Sequence, residues 1–196
     1  MIMDYPIIGI AGAARSGKDT LCKGLIKFFK SKNLKAERVS LAGDTIKKDL
    51  KTIIYKKTNI DSFTENIQQK TLIRPLLVEY GKLMRNITKG RYFIDFFERK
   101  EDIIPIITDI RYAEYEKDEL YWLKKEVNGF LVFIKHEFVF DANETEKRNN
   151  KLIKKEANYR LNWSTLDENN PLDVIELNKI SKKIGTFYLK RFTTFQ

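Results

Sequence analysis

Short, almost uninterrupted apolar runs alternate along the chain with stretches whose apolar residues recur every three or four positions, and this alternation predicts strands and helices in turn. Residues 5–11 read as a buried, β-branched strand opened by Pro6. Residues 17–32 read as a helix with Leu21, Leu25, Ile26, Phe28 and Phe29 on one side. A second strand over 36–41 leads into a helix over 45–55. Residues 61–98 are mainly helical, with Pro75 near a helix start and Gly81 and Gly90 as weak points. An apolar strand over 103–108 ends in Asp109, residues 112–127 have helical periodicity, and 129–135 is another apolar strand. Residues 138–157 are polar and charged with little core-forming material, the pattern of an exposed excursion or lid. Residues 159–163 read as the last strand and 174–188 as a closing helix.

Fully apolar strands that alternate with helices imply an α/β fold with a parallel sheet covered on both faces. At 196 residues the chain suffices for one core, so 1–196 is expected to be a single domain. The helical block interrupts the alternation and reads as a small substrate-binding subdomain over 44–101, with a lid over 137–157. A mean hydropathy of −0.44 and the lack of a long apolar run argue against a transmembrane helix. The wealth of Ile, Leu, Phe and Tyr argues against disorder. The apolar run 7–14 follows Asp4 and Pro6 without a basic leader and continues into Arg15 and Lys18, unlike a signal peptide. A lone cysteine, Cys22, allows no internal disulfide, argues against zinc and fits a reducing, cytoplasmic compartment.

The net charge of +10 comes from 37 basic against 27 acidic residues and favours polyanionic partners. Lysine supplies 27 of the cations and arginine 10, and the lysines are spread along the chain rather than gathered in a tail. That distribution suits solvated helix surfaces better than a nucleic-acid track. Arginine is the more informative cation, because its planar fork matches phosphate oxygens two at a time.

The strongest chemical signal is Gly12-Ala13-Ala14-Arg15-Ser16-Gly17-Lys18-Asp19-Thr20, set between a predicted strand and a predicted helix. Gly12-x4-Gly17-Lys18 has the spacing of a phosphate-binding loop. Its glycines let backbone N–H groups turn inward, the helix start aims its positive end at the anion, and Lys18 reaches the terminal phosphates. Residues 12–20 are therefore the candidate ATP site. Where the strict pattern puts a Mg²⁺-binding hydroxyl directly after the lysine, this chain has Asp19 and then Thr20, so Asp19 and Thr20 are both candidate metal residues. Asp19 equally suits the first turn of a helix as a charge facing its dipole.

Around this loop the run from Ala14 to Leu21 resembles phage deoxynucleoside monophosphate kinases and, more distantly, phosphomevalonate kinases, through a shared Ser-Gly-Lys-Asp core. Val39-Ser40-Leu41-Ala42 with Ile46-Lys47, Gly81-x-x-x-Arg85, and Thr108-Asp109-Ile110-Arg111-Tyr112 look like further motifs of that family in the same order. The resemblance implies a three-layer P-loop kinase fold with a helical acceptor-binding insertion and a lid. It also implies transfer of the γ-phosphoryl group of ATP, with Mg²⁺, to a (deoxy)nucleoside monophosphate. Independently, the residue inventory fits transfer rather than hydrolysis by a nucleophile, because the only histidine, His136, cannot anchor a catalytic triad.

Individual residues carry graded expectations. Asp109 ends an apolar strand, where a carboxylate can hold Mg²⁺ or its water, or pair with Arg111. Lys18, Asp44, Arg111 and Arg148 are the candidate catalytic residues, and Arg148 would fold over the reacting group from the lid. Asp44, Arg74, Arg85, Arg91, Asp109 and Arg111 are the candidate acceptor residues. Surface pairing of Arg74 and Arg85 with Glu79 or Glu65, and an N-cap role for Asp44, are the plainer alternatives. Tyr80, Tyr92, Phe93 and Phe96 read as core more than as a base-stacking platform. Other small-molecule kinases (dephospho-coenzyme A kinase-like or phosphomevalonate kinase-like) and a nucleic-acid-stimulated ATPase remain as alternatives, as does a scaffold without activity. A membrane partner is not expected, and a homodimer is left open. The richness in Lys, Ile and Asn fits an AT-rich viral genome, which would place the protein in a host cytoplasm.

Overall fold

The computed structural model describes residues 5–164, 166–167 and 169–193. Strands β1 (Ile8–Gly12), β2 (Lys35–Val39), β3 (Ile103–Ile107), β4 (Phe130–His136) and β5 (Tyr159–Trp163) form one sheet in the order β2-β3-β1-β4-β5. Every pairing is parallel; Gly9 lies opposite both Ile107 and Leu131. Parallel strands need covered crossovers on both faces. That is why all five residues of β1, the central strand, are buried, while the edge strand β2 is only partly so.

The two sides of the sheet carry separate cores. On one, Ile8, Ile10, Ile106 and Val132 meet Leu21, Leu25 and Phe29 of α1 (Lys18–Lys30) and Ile184 and Tyr188 of α7 (Pro171–Thr193). On the other, Ile7, Ala11, Ile107 and Phe133 meet α2 (Gly43–Thr58), α3 (Ile67–Thr88), α4 (Tyr92–Asp95) and α6 (Glu144–Glu156) through Ile46, Ile73, Phe93 and Ile153. The result is the expected three-layer α/β arrangement. No helix among the described residues is long and apolar enough to cross a membrane. Cys22 is fully buried in α1, and burial pushes its thiol up to about 12.

Three local expectations give way. Pro75 lies well inside the long helix α3, not near its start, and Gly81 is a buried residue of the same helix. The helix expected over 112–127 forms only from Glu119, as α5 (Glu119–Tyr121) widening into a π turn over Trp122–Glu126. Two carboxylates hold the preceding segment out of helix. Glu119 accepts from the N–H groups of Arg111 and Tyr112 at 2.8 and 3.1 Å, and Asp118 accepts from that of Tyr115 at 3.0 Å.

The third concerns the polar stretch 138–157, whose residues 144–156 are helix α6, with Ile153, Asn149 and Asn150 buried. Its buried stripe is mostly amide, which hydrophobic periodicity does not register. Asn149 accepts from Ala113 N–H at 2.7 Å and donates to Glu114 at 2.8 Å. Buried amides of this kind are tolerated because they are hydrogen-bonded.

Candidate functional site

A cleft of about 630 Å³ opens at the carboxyl ends of β1, β2 and β3, where the strand order reverses on either side of β1. Its lining joins the turn after β1 to the starts of α1 and α2, one face of α3 and the segment after β3.

The turn is built by backbone conformation. Gly12 has φ +142°, and a Cβ there would lie 2.5 Å from the carbonyl oxygen of Ile134. Gly17, the N-cap of α1, has φ +84°, and a Cβ there would strike the Trp163 ring. Trp163 also donates its indole N–H to the carbonyl of Ser16 at 2.8 Å, so the end of β5 buttresses the loop from behind. Arg15, at φ 66°, is a left-handed non-glycine residue between the two glycines. Ser16 Oγ is fully buried without a hydrogen-bond partner in the described structure.

Lys18 is 7% exposed and donates to the carbonyls of Gly12 and Ala13 at 2.9 and 2.6 Å, bent back across its own loop. Burial first, and then the positive charge of Arg111, lower its pKa from 10.5 to about 8. A buried lysine with the positive charge of Arg111 facing it makes a place where an anion is favoured.

A carboxylate already reaches that place. Glu146, in the first turn of α6, accepts from the N–H of Ala14 at 3.1 Å and from that of Ala142 at 2.6 Å. Sequence reading missed Glu146. Its only local signal is Asn143-x-x-Glu146, a capping box, and Asn143 does accept from Glu146 N–H at 2.9 Å.

The remaining expected residues divide into those that reach the cleft and those that are otherwise engaged. Ala14, Arg15, Gly17, Lys18, Asp19 and Thr20 line it, together with Asp44, Arg74 and Arg111. Gly12, Ala13 and Ser16 shape the turn from behind. Arg74 and Arg111 are exposed, and neither forms an ion pair among the described residues; Glu79 pairs instead with Lys82, and Glu65 with Lys70. Asp44 is not the N-cap of α2, which starts one residue earlier, and it turns its half-buried side chain to the cleft.

Asp109 does not pair with Arg111. Its carboxylate accepts from Ser40 Oγ and from the N–H groups of Leu41, Ala42 and Gly43 at 2.9 to 3.3 Å, which makes it the clamp holding the turn into α2. Asp19 pairs with Arg38 at 2.8 Å. Among the described residues no cluster of three His, Cys, Asp or Glu is arranged to hold a metal.

Arg85 borders the cleft but is committed to Glu119 at 2.7 Å, both nearly fully buried, and is sandwiched by the Tyr112 and Phe93 rings at 4.0 and 4.6 Å. Glu119, also unforeseen, thereby ties α3 to the backbone of Arg111 and Tyr112. Arg91 pairs with Asp95 and Glu126 at 2.9 Å each and does not line the cleft. Arg148 pairs with Glu114 at 2.7 Å and does not line the cleft either.

Of the four aromatics considered, none lines this cleft. Phe93 and Phe96 border a neighbouring cavity of about 520 Å³, and the hydroxyls of Tyr80 and Tyr92 both donate to Asp49 at 3.1 Å. The ring that does line the cleft is Tyr112.

No family model matches the chain, and no curated protein matches it. Among solved structures it is similar to shikimate kinase from Acinetobacter baumannii in complex with shikimate, at 12% identity over 96% of this chain and 95% of that one, with a TM-score of 0.41. It is also similar to dephospho-CoA kinase from Campylobacter jejuni, at 12% identity over 92% and 98% of the two chains, with a TM-score of 0.36.

Proposed function

We propose that the protein transfers the γ-phosphoryl group of ATP to a small acceptor that already carries a phosphate, and that the acceptor is a (deoxy)nucleoside monophosphate. One observation carries the reading. The phosphate loop with its buried Lys18 faces the same cleft as the guanidinium groups of Arg74 and Arg111, which have no ion pair among the described residues.

The residues present fit a triphosphate. The loop offers the start of a 13-residue helix and a buried lysine whose charge is favoured by an anionic neighbour. Thr20, in the first turn of α1, supplies a hydroxyl at the cleft. Mg²⁺ would be held by Thr20 and, once released from Arg38, by Asp19. Asp109 is left out of that set, because four donors occupy its oxygens. Bound as its magnesium complex, ATP would supply the phosphoryl group and part of the charge neutralisation.

The rest falls to the chain. Arg74 and Arg111 bind and orient the acceptor phosphate, and Lys18 and Arg111 offset the charge spread over the reacting oxygens. Ile46, Leu77, Val78 and the Tyr112 ring form an apolar wall of the size and kind that takes a nucleobase. In the transfer, an oxygen of the acceptor phosphate bonds to the γ-phosphorus, the bridge to the β-phosphate breaks, and ADP departs. Exclusion of water requires closure over the cleft. We assign that movement to the 137–157 lid, with Arg148 as the arginine that turns inward after leaving Glu114, over the acceptor-binding subdomain 44–101. The buried, unreactive Cys22 suits a cytoplasmic setting.

The test is ADP release with ATP and Mg²⁺ across a panel of nucleoside monophosphates, dephospho-coenzyme A, phosphomevalonate, and DNA or RNA. Stimulation by at least one monophosphate is the expected result. Stimulation only by a different acceptor, or only by nucleic acid, would replace this reading with the corresponding alternative.

A further inference from the structure

Away from the cleft, the fold gathers cations that look dispersed along the chain. Lys179, Lys182, Lys183 and Lys190 of α7 fall within about 100° of one helix face and about 16 Å of its length. They rim a trough of about 490 Å³ into which Tyr159 and Phe187 also face, and no carboxylate lines it among the described residues. Tyr159 opens β5 of a parallel sheet, so the trough lies toward the amino ends of the strands, the opposite end from the cleft.

Helix stability does not explain this face. On α3 and α6, Lys82 and Lys147 have acids one turn away, Glu79 at 2.7 Å and Glu144 at 3.2 Å. On α7 Lys179 reaches Glu176 only at 3.8 Å, and residues 177–196 contain no Asp or Glu at all. Like charges three and four residues apart, as Lys179 stands to Lys182 and Lys183, weaken a helix. The row therefore points to an anion outside the chain, and its length exceeds one phosphate and suits a string of them. The rings say what kind of string. Phe187 is 44% exposed, yet its ring is held 5.9 Å from that of the buried Phe130 and 6.0 Å from that of Tyr159. A flat lipid surface takes up rings that project, whereas these are set into a floor beneath ammonium groups on long stems. A flexible strand laid along the trough can bring its bases down onto them.

We propose that this trough binds single-stranded nucleic acid, with phosphates along the four lysines and bases against Phe187 and Tyr159. Binding of this kind tolerates any sequence and weakens steeply with salt, because lysine contacts to phosphate supply most of it. It lies apart from the cleft and does not depend on what the cleft binds.

Fluorescence anisotropy of a labelled oligothymidylate of about 12 nucleotides tests this with no ATP present, and circular dichroism controls for folding. The logarithm of the affinity is expected to fall with that of the salt concentration at a slope of about −3, from four lysines at about 0.7 each. Lys182→Glu with Lys183→Glu, both exposed, is expected to weaken binding about tenfold or more and to flatten that slope. Phe187→Ala is expected to weaken it about fivefold and leave the slope unchanged, since stacking and charge are lost separately. Inorganic polyphosphate, which has no bases, is expected to compete more weakly than unlabelled oligonucleotide, and phosphatidylserine vesicles not at all. No binding even at about 20 mM salt would overturn the proposal. So would binding indifferent to the lysine changes, polyphosphate competing as well as the oligonucleotide, or vesicles displacing it.

Discussion

The two ends of the cleft are built by different means. The phosphate loop is one contiguous segment, 12–20, whose shape comes from backbone conformation at Gly12 and Gly17 and from the first turn of α1. The opposite wall is collected from α2, α3 and the segment after β3, and two buried carboxylates hold it together. Asp109 clamps the turn into α2, and Glu119 joins Arg85 of α3 to the backbone of Arg111 and Tyr112. A site made from one segment loses function when its reactive side chain goes, but keeps its fold. A wall made from clamps loses fold and function together.

The largest expected effect breaks the first end. Lys18→Ala should lower phosphoryl transfer about a thousandfold, measured as kcat/KM by ADP release, with a melting temperature at neutral pH no lower than that of the wild type. In the wild type, nucleotide affinity should decline as pH rises through about 8, where Lys18 loses its proton, and this decline should be absent in Lys18→Ala. The sign for stability is the reverse. Because the folded state holds this proton less tightly than the unfolded chain does, Lys18 costs the ligand-free fold stability below pH 8. That cost is relieved between about 8 and 10.5.

Asp109→Ala should do what Lys18→Ala does not. Losing a buried carboxylate that satisfies three backbone N–H groups and a hydroxyl should cost about 3 kcal/mol in denaturant unfolding. It should raise the acceptor KM more than it changes ATP affinity. Equal effects on both ligands would show that the two ends are not separable in this way.

Arg74→Ala comes next. It should raise the acceptor KM about tenfold with stability intact, because no ion pair is lost. Arg91→Ala should leave the acceptor KM unchanged, since Arg91 is held by Asp95 and Glu126 outside the cleft.

The smallest expected effect sharpens the comparison at the loop itself. Glu146→Ala frees the Ala14 N–H and removes a negative charge beside the proposed triphosphate site. ATP should then bind several-fold more tightly by calorimetry, at a cost of about 1 kcal/mol in stability from the lost bonds to the N–H groups of Ala14 and Ala142. Unchanged or weaker binding would show that Glu146 does not compete with phosphate.

The helix expected over 112–127 and the coreless stretch expected over 138–157 failed for related reasons. In the first, carboxylates at 118 and 119 bonded the N–H groups of Tyr112 and Tyr115 and held the segment before Glu119 in a non-helical path. In the second, the buried stripe was mostly asparagine, and Asn149 finds Ala113 and Glu114 on another segment. Hydrophobic periodicity sees neither, because it counts apolar side chains and not the polar bonds that replace them.

The amino-acid sequence alone determined the parallel α/β plan and the glycine-bounded turn that carries Lys18 between β1 and α1. Continuous apolar runs demand a sheet covered on both faces, and the Gly12, Gly17 and Lys18 spacing acts within a few residues of chain. Which arginines are free was decided only by the tertiary structure. Arg85, Arg91 and Arg148 find carboxylates 34, 35 and 34 residues away in sequence, whereas Arg74 and Arg111 find none among the described residues. Charges attract across distances in space, and the spacing of residues along a chain does not record those distances until the chain has folded.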